Sequence, residues 1–385
     1  MPRLLHTADW QIGRQFATFP PESAVPLMEA RFTAVERLAR LATERRVDAV
    51  LVAGDVFDAQ TVSDRTLRRL FDALAGYAGP WVLLPGNHDA ALSESVWRRA
   101  ERLGIVPPRV HLALRPEPIV LAGAGVVVLP APLTQRHTHA DLTEWFDQAE
   151  TPPGLARVGL AHGCVQGVLA EDIDSANPIA PDRAERARLD YLALGDWHGC
   201  RPIDPRTWYS GTPEPDRHKD RDHGAGQALL VELGLVAGTA PHVTRLPVGQ
   251  HRWRRIELAL QVGSDLDAGL DGLAALGASD VVDLRLSGQL DLAGEQRLNA
   301  ALAQAEARVR HLDVDRGALR LAPTDDDIAA LRADGYLDAL IRELHAAQQA
   351  PSASAQGSGL TPELAREALA LLAAALADRR AGTAT

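Results

Sequence analysis

A chain of 385 residues with a formal net charge of −11 is long enough for more than one core and too acidic to coat nucleic acid by bulk attraction. Hydrophobic residues make up 46% of it, which excludes wholesale disorder, and no apolar run approaches the length of a membrane span. Its two cysteines, Cys164 and Cys200, exclude a disulfide framework, so a reducing cytoplasm is the expected setting.

The start, MPRLLHTADW, runs from a strand at residues 4–7 straight into a polar motif, so no signal peptide is expected. Asp9 stands just past that strand and Gln11 two residues on, facing the same way in an extended segment. Both can reach one ion, although an Asx turn closing the strand explains Asp9 equally simply. A helix is predicted over residues 26–45 from Leu27, Phe32, Val35, Leu38, Ala39 and Leu41 near helical spacing. The next strand, 47–53, ends in Gly54-Asp55, with Asp58 read as a turn or supporting carboxylate. Ser63 caps a helix through Leu74, and a third strand, 78–85, ends in Gly86-Asn87-His88-Asp89. Packing does not require a carboxamide, an imidazole and a carboxylate in succession.

A helix over 93–103 and a strand over 126–130 follow. The segment 134–139 carries Gln135, Arg136, His137 and His139 and reads as a solvated loop near a substrate. Strand 157–161 ends in His162-Gly163-Cys164, and strand 191–194 in Gly195-Asp196-Trp197-His198-Gly199-Cys200. The two cysteines read as small buried residues behind ligands. Then come the segment 208–214, a charged loop at 216–223 and a strand at 228–233. Five strands thus end in groups able to hold metal: Asp9 with Gln11, Asp55, Asn87 with His88, His162, and Asp196 with His198. Apolar strands with polar carboxyl ends suit a parallel sheet whose carboxyl edge assembles a site.

After Leu246 the order strand 253–260, helix 265–276, strand 281–287, helix 294–310, strand 311–321 predicts a small α+β domain. Asp325, Asp326 and Asp327 open a helix whose stripe is Tyr336, Leu337, Leu340, Ile341 and Leu344. Residues 350–359 read as a Ser/Gly/Ala linker, and 364–379 as a last helix with a leucine face. Such a tail fits a docking element or simple packing on the parent domain.

Hydrolysing a phosphodiester near neutral pH calls for two divalent ions about 3.5–4 Å apart, which acidify a water and clamp the phosphate. Asp55 lies between the Asp9/Gln11 strand end and the Asn87 strand end, as a carboxylate spanning both ions would. His88 directly follows a ligand and is expected to point inward without binding metal, giving a proton or hydrogen bond to the leaving oxygen. Asp89 is its expected orienting partner.

The series Asp9-x-Gln11, Gly54-Asp55, Gly86-Asn87-His88-Asp89, Ala161-His162-Gly163 and Gly195-Asp196-x-His198 resembles the calcineurin-like metallophosphoesterase superfamily. Within it, residues 8–14 and 209–214 look like the SbcD branch of double-strand-break repair nucleases. The resemblance implies a four-layer α/β/β/α sandwich over residues 1–248, a small α+β DNA-capping domain over 249–322, and C-terminal helices over 323–385. It implies one metal on Asp9, Gln11, Asp55 and His198, and another on Asp55, Asn87, His162 and Asp196, with His88 as the transition-state histidine. Manganese is the implied ion, with magnesium an option. The implied activity is a DNA exonuclease or endonuclease acting in repair, near the bacterial nucleoid. The implied partners are DNA, a second copy of the chain and an SMC-like coiled-coil ATPase gripped by the terminal helices.

Two positions depart from the family pattern: Gln11 stands for a histidine, and Asp196 for the first histidine of Gly-His-x-His. The first metal is therefore expected to bind more weakly, and the second site to be richer in oxygen, favouring manganese or magnesium over zinc. Rival readings are a phosphodiesterase of small or cyclic nucleotides and a structural DNA-bridging subunit with a decayed site. Arg14, Trp10 and Trp197 flank the ligands and are placed toward substrate, the tryptophans by stacking on bases, although core packing explains them equally. Arg201, Arg217, Lys219, Arg221, Arg252, Arg254 and Arg255 are the densest basic group and a candidate backbone-binding groove.

Overall fold

Unbroken apolar runs form the central strands, because a strand buried on both faces has no polar side to alternate with. The computed structural model describes residues 1–168, 177–218, 224–234, 239–261, 263–324, 327, 336–349 and 361–383. Four strands, β1 (Arg3–Thr7), β2 (Ala49–Val52), β3 (Trp81–Leu83) and β4 (Val110–Leu112), run parallel in that order. Next, β5 (Ile119–Leu121) pairs antiparallel with β6 (Val126–Ala131), which runs parallel to β7 (Ala156–His162). A short ribbon of β8 (Cys164–Val165) and β9 (Pro178–Ile179) precedes β10 (Tyr191–Gly195), which lies parallel to β7. The strands β11 (Arg201–Asp204) and β12 (Thr207–Tyr209) extend that sheet. Finally β13 (Gln227–Glu232) and β14 (His242–Pro247) return to the first sheet, β13 antiparallel to β1. The sheets have the orders β14-β13-β1-β2-β3-β4 and β11-β12-β10-β7-β6-β5.

Alternation along each strand sorts the layers. Leu4, Ala49, Leu51 and Val82 of the first sheet share one buried cluster with Val126, Val128, Val158 and Ala193 of the second. Their neighbours Leu5, Val50, Val52 and Leu83 face α1 (Pro21–Glu44), α2 (Asp64–Ala73) and α3 (Val96–Arg102). On the second sheet, Val127, Leu129, Leu192 and Leu194 face Phe146 and α4 (Arg183–Arg186). This is the α/β/β/α sandwich. As expected, Ser63 caps α2, accepting from Thr66 N. The first helix begins at Pro21, whose place at its first position gives up no hydrogen bond, and Pro26, the expected start, lies inside it.

The chain separates into two units, Met1–Arg252 and Trp253–Thr385. In the second, β15 (Arg252–Leu260), α5 (Gly263–Ala274), β16 (Asp280–Leu290), α6 (Leu292–Glu306) and β17 (His311–Leu321) alternate, and the strands form a three-stranded sheet. Leu266, Leu273, Val282, Leu284, Leu298 and Leu302 fill its core. The helices α7 (Tyr336–Gln349) and α8 (Pro362–Thr383) share a separate cluster of Ile341, Leu344, Ala365 and Leu369 with Leu292. Tyr336, Leu364 and Leu371 are left exposed at 79%, 49% and 69%. The expected linker at 350–359, and Asp325 and Asp326, lie outside the described residues. No helix among the described residues is long and apolar enough to cross a membrane.

Candidate metal centre

The carboxyl ends of β1, β2, β3, β7 and β10 converge, and the turns that leave them are strained. Asp9, Gln11, Asp55 and Asp196 have φ of 55°, 45°, 51° and 96°, which makes half of the eight described non-glycine residues with positive φ candidate ligands. Such conformations cost on the order of 1–3 kcal/mol each and persist where the surroundings impose them. Here backbone hydrogen bonds do so: Asp9 N donates to Gly54 O at 3.0 Å and Gln11 N to Asp55 O at 2.9 Å. Gly54 has φ +91°, and a Cβ there would lie 2.2 Å from His162 Nδ1. A Cβ on Gly86 would meet Asp55 Oδ1 at the same 2.2 Å. Glycine therefore lets the ligands of neighbouring strands close up.

Asp9, Asp55 and His162 offer ligand atoms within 4.8 Å of one another, all three residues buried. His162 Nδ1 lies 2.8 Å from Ala53 O. A carbonyl only accepts, so Nδ1 carries the proton and Nε2 turns inward, 3.5 Å from Asp55 and 3.6 Å from Asp196. Burial alone would lower the His162 pKa, but Asp55, Asp196 and Asp9 outweigh it and bring it up to about 9. A cation bound there would replace that proton. Burial raises Asp9 to about 6 and also pushes Asp196 up. The Asp196 N–H donates to the Asp9 carboxylate oxygens at 3.1 and 3.3 Å.

The Asn87 side chain tests whether a cation fits. Its inward atom lies 3.0 Å from His162 Nε2 and 3.1 Å from both Asp55 carboxylate oxygens. As the amide nitrogen it donates to them. As the oxygen it faces both Asp55 carboxylate oxygens, a convergence that a cation among them stabilises. Carboxylates, a carboxamide and an imidazole form a donor set for a hard divalent ion, and the residues present fit one.

His88 sits at the rim, its side chain 30% exposed. Its backbone N–H donates to Asp55 Oδ1 at 3.0 Å, and Nδ1 donates to Asp58 O at 2.8 Å. The remaining nitrogen, Nε2, is 3.9 Å from Asp55 Oδ2. Asp89, expected to orient His88, instead accepts from Gly86 N at 2.6 Å and Phe57 N at 3.0 Å, tying two strand-end turns together. Burial, then Asp55, raises it to about 8. The Asp58 carbonyl orients His88, a contact no side-chain pattern announces.

His198 and Gln11 stand together, with Gln11 Nε2 3.2 Å from His198 Nε2. Arg14 donates to Gln11 Oε1 at 3.0 Å and lies 3.5 Å from Asp58 and 3.3 Å from Asp216. Trp10 is a correction: it is 1% exposed, its Nε1 donates to Thr7 Oγ1, and it packs in the core edge-on to Trp81. It cannot stack on a base. Trp197 is half-buried and packs against the cluster behind the second sheet. Cys164 and Cys200 are free and buried. The 134–139 loop is tied to the His162 turn through Asn177, which exchanges hydrogen bonds with Thr138 and accepts from Cys164 N. Of the basic group, Lys219 and Arg221 lie outside the described residues. Arg217 pairs with Asp216, Arg254 with Asp280 and Arg255 with Asp283.

Sequence reading missed Asp216 and Arg31. Asp216 is held well below the usual carboxylate range: burial opposes ionisation, but His198, Arg31 and Arg217 overcome it. Arg31 donates to Trp10 O at 2.6 Å and lies 3.4 Å from Asp216. Its signal was present as one arginine on the buried face of α1 between Leu27 and Val35.

Comparison with known proteins agrees with this geometry. A model of the calcineurin-like phosphoesterases matches residues 2–200. The SbcD component of the SbcCD nuclease of Rhodobacter capsulatus is 44% identical over 290 residues, 64% of this chain and 69% of that protein. The DNA double-strand break repair protein Mre11 of Aeropyrum pernix is 28% identical over 69% of this chain and 66% of its own length. The SbcD component of the Escherichia coli K12 SbcCD nuclease is 28% identical over 55% of this chain and 60% of its own.

Proposed function

Because the chain belongs to the calcineurin-like phosphoesterase family, on the branch of the SbcD nucleases, we propose that it hydrolyses DNA phosphodiesters with two divalent ions, manganese foremost. The convergence of Asp9, Asp55, Asn87 and His162 at parallel strand ends carries this reading. Asp55 would serve both ions, with Asp9, Gln11 and His198 to hold one and Asn87, His162 and Asp196 to hold the other. When bound, such ions acidify a water and neutralise the phosphate oxygens. His88, held by Asp58 O through Nδ1, turns Nε2 toward the leaving oxygen and in its doubly protonated form would give that oxygen the Nε2 proton. Asp89 and the glycines hold the strand ends at their spacing.

We further propose residues 1–248 as the catalytic domain, 249–322 as a DNA-capping domain and 323–385 as the docking helices for an SMC-like coiled-coil ATPase. The setting is DNA repair at the bacterial nucleoid, with the chain as a homodimer. The relatives' names and the exposed leucines of α8 support this assignment. Purified protein is expected to degrade duplex DNA with manganese, Asp55→Asn to abolish this and His88→Ala to cut it by about 10²–10⁴-fold. Equal activity in wild type and both variants contradicts the reading, and cleavage of a chromogenic diester without cleavage of DNA shifts it to a small-nucleotide phosphodiesterase.

A further inference from the structure

Beside the metal centre, four side chains close a circuit. Arg14 donates to Gln11 Oε1 at 3.0 Å, and Gln11 Nε2 is 3.2 Å from His198 Nε2. An amide nitrogen only donates, so this contact occupies the lone pair that His198 would offer a metal. On the other edge of the imidazole, Nδ1 lies 3.4 Å from Asp216 Oδ1. Asp216 Oδ2 then returns to Arg14 at 3.3 Å. The circuit is braced from outside. Arg31, with a side chain 1% exposed, lies 3.4 Å from Asp216 Oδ2, and Arg217 Nε donates to Asp216 Oδ1 at 2.8 Å.

Both atoms that Gln11 and His198 would turn to an ion, Oε1 and Nε2, are therefore engaged by neighbours, with the guanidinium groups of Arg14 and Arg217 3.0 and 3.1 Å from them. The other side of the centre has the opposite character. There His162 Nε2 faces the carboxylates of Asp55 and Asp196 at 3.5 and 3.6 Å, and among the described residues no guanidinium pairs with these ligand atoms.

We propose that this chain fills its two metal positions in order. The first ion enters on the Asp55, Asn87, His162 and Asp196 side. The second enters on the Gln11 and His198 side only when the circuit opens, and so binds on the order of tenfold more weakly, the equivalent of one net hydrogen bond. Gln11, Arg14 and Asp216 thereby set the divalent-ion concentration at which the centre is complete. This deepens the two-ion reading above and rests on it.

The test is calorimetric titration of manganese into the chelator-treated full chain, followed in parallel by electron paramagnetic resonance. Wild type is expected to bind one ion tightly with a mononuclear signal, then a second on the order of tenfold more weakly, when spin coupling sets in. Gln11→His removes the amide that caps His198, and Arg14→Ala frees the Gln11 oxygen, so each is expected to strengthen the second event and leave the first unchanged. Asn87→Ala is expected to weaken the first event. Two indistinguishable affinities in wild type, or a second affinity unmoved by both Gln11→His and Arg14→Ala, overturn the proposal while the two-ion reading stands. No manganese bound at all overturns both.

Discussion

His88 and His6 show how one residue type serves opposite ends. His88 keeps Nε2 at the rim because Nδ1 donates to the Asp58 carbonyl. His88→Ala is therefore expected to cost about 10²–10⁴-fold in kcat while manganese binding by calorimetry stays at the wild-type level. A matching loss of metal would make it a ligand instead. His6 is buried between the sheets, Nε2 donating to Leu194 O and Nδ1 facing the Tyr191 hydroxyl. Burial lowers its pKa from 6.5 to about 3, so the unfolded chain takes up the proton first. The stability it contributes is complete above pH 6.5 and drains away as pH falls toward 3, about 2 kcal/mol of it by pH 5. Urea unfolding across that range is expected to show a shallower pH slope in His6→Asn than in wild type, and parallel slopes would refute it. The candidate ligands were legible because each directly follows an apolar strand. Asp216 was not, since a charged loop has no periodicity, and Trp10 misled because nearness in sequence to a ligand says nothing of which way an indole faces.

Among the elements, the central strands were readable and the edges were not. Unbroken runs such as Ala49–Val52 need burial on both faces, whereas the edge strands β4 and β5 are three residues each with only one buried, and leave too little pattern. Closing the strand ends depends on backbone shape that sequence shows only as Gly54 and Gly86. Gly54→Ala puts a methyl 2.2 Å from His162 Nδ1 at φ +91°, so melting temperature and manganese affinity are expected to fall together. Gly104→Ala has φ +62° with nothing within 4 Å, and is expected to cost only about 1 kcal/mol with metal binding intact. If both behaved alike, backbone strain alone would explain Gly54, and the packing account of the site would fail.

For the whole molecule, the second unit carries no concentrated polar motif, and its alternating strands and helices were nonetheless visible in order. The tail is where sequence left two readings open. Its helices share a small core with Leu292, yet α8 keeps Leu364 and Leu371 outward. Leu371→Glu is expected to change stability by no more than about 0.5 kcal/mol and to abolish co-purification of a coiled-coil ATPase. Unchanged co-purification would leave α8 with packing alone.

The strand-end cluster around Asp55 is proposed to hold two divalent ions. Anomalous diffraction at the manganese edge from crystals soaked in manganese tests it directly. Two peaks flanking Asp55, about 3.5–4 Å apart, are predicted. Peaks remote from Asp55, or none, would contradict it.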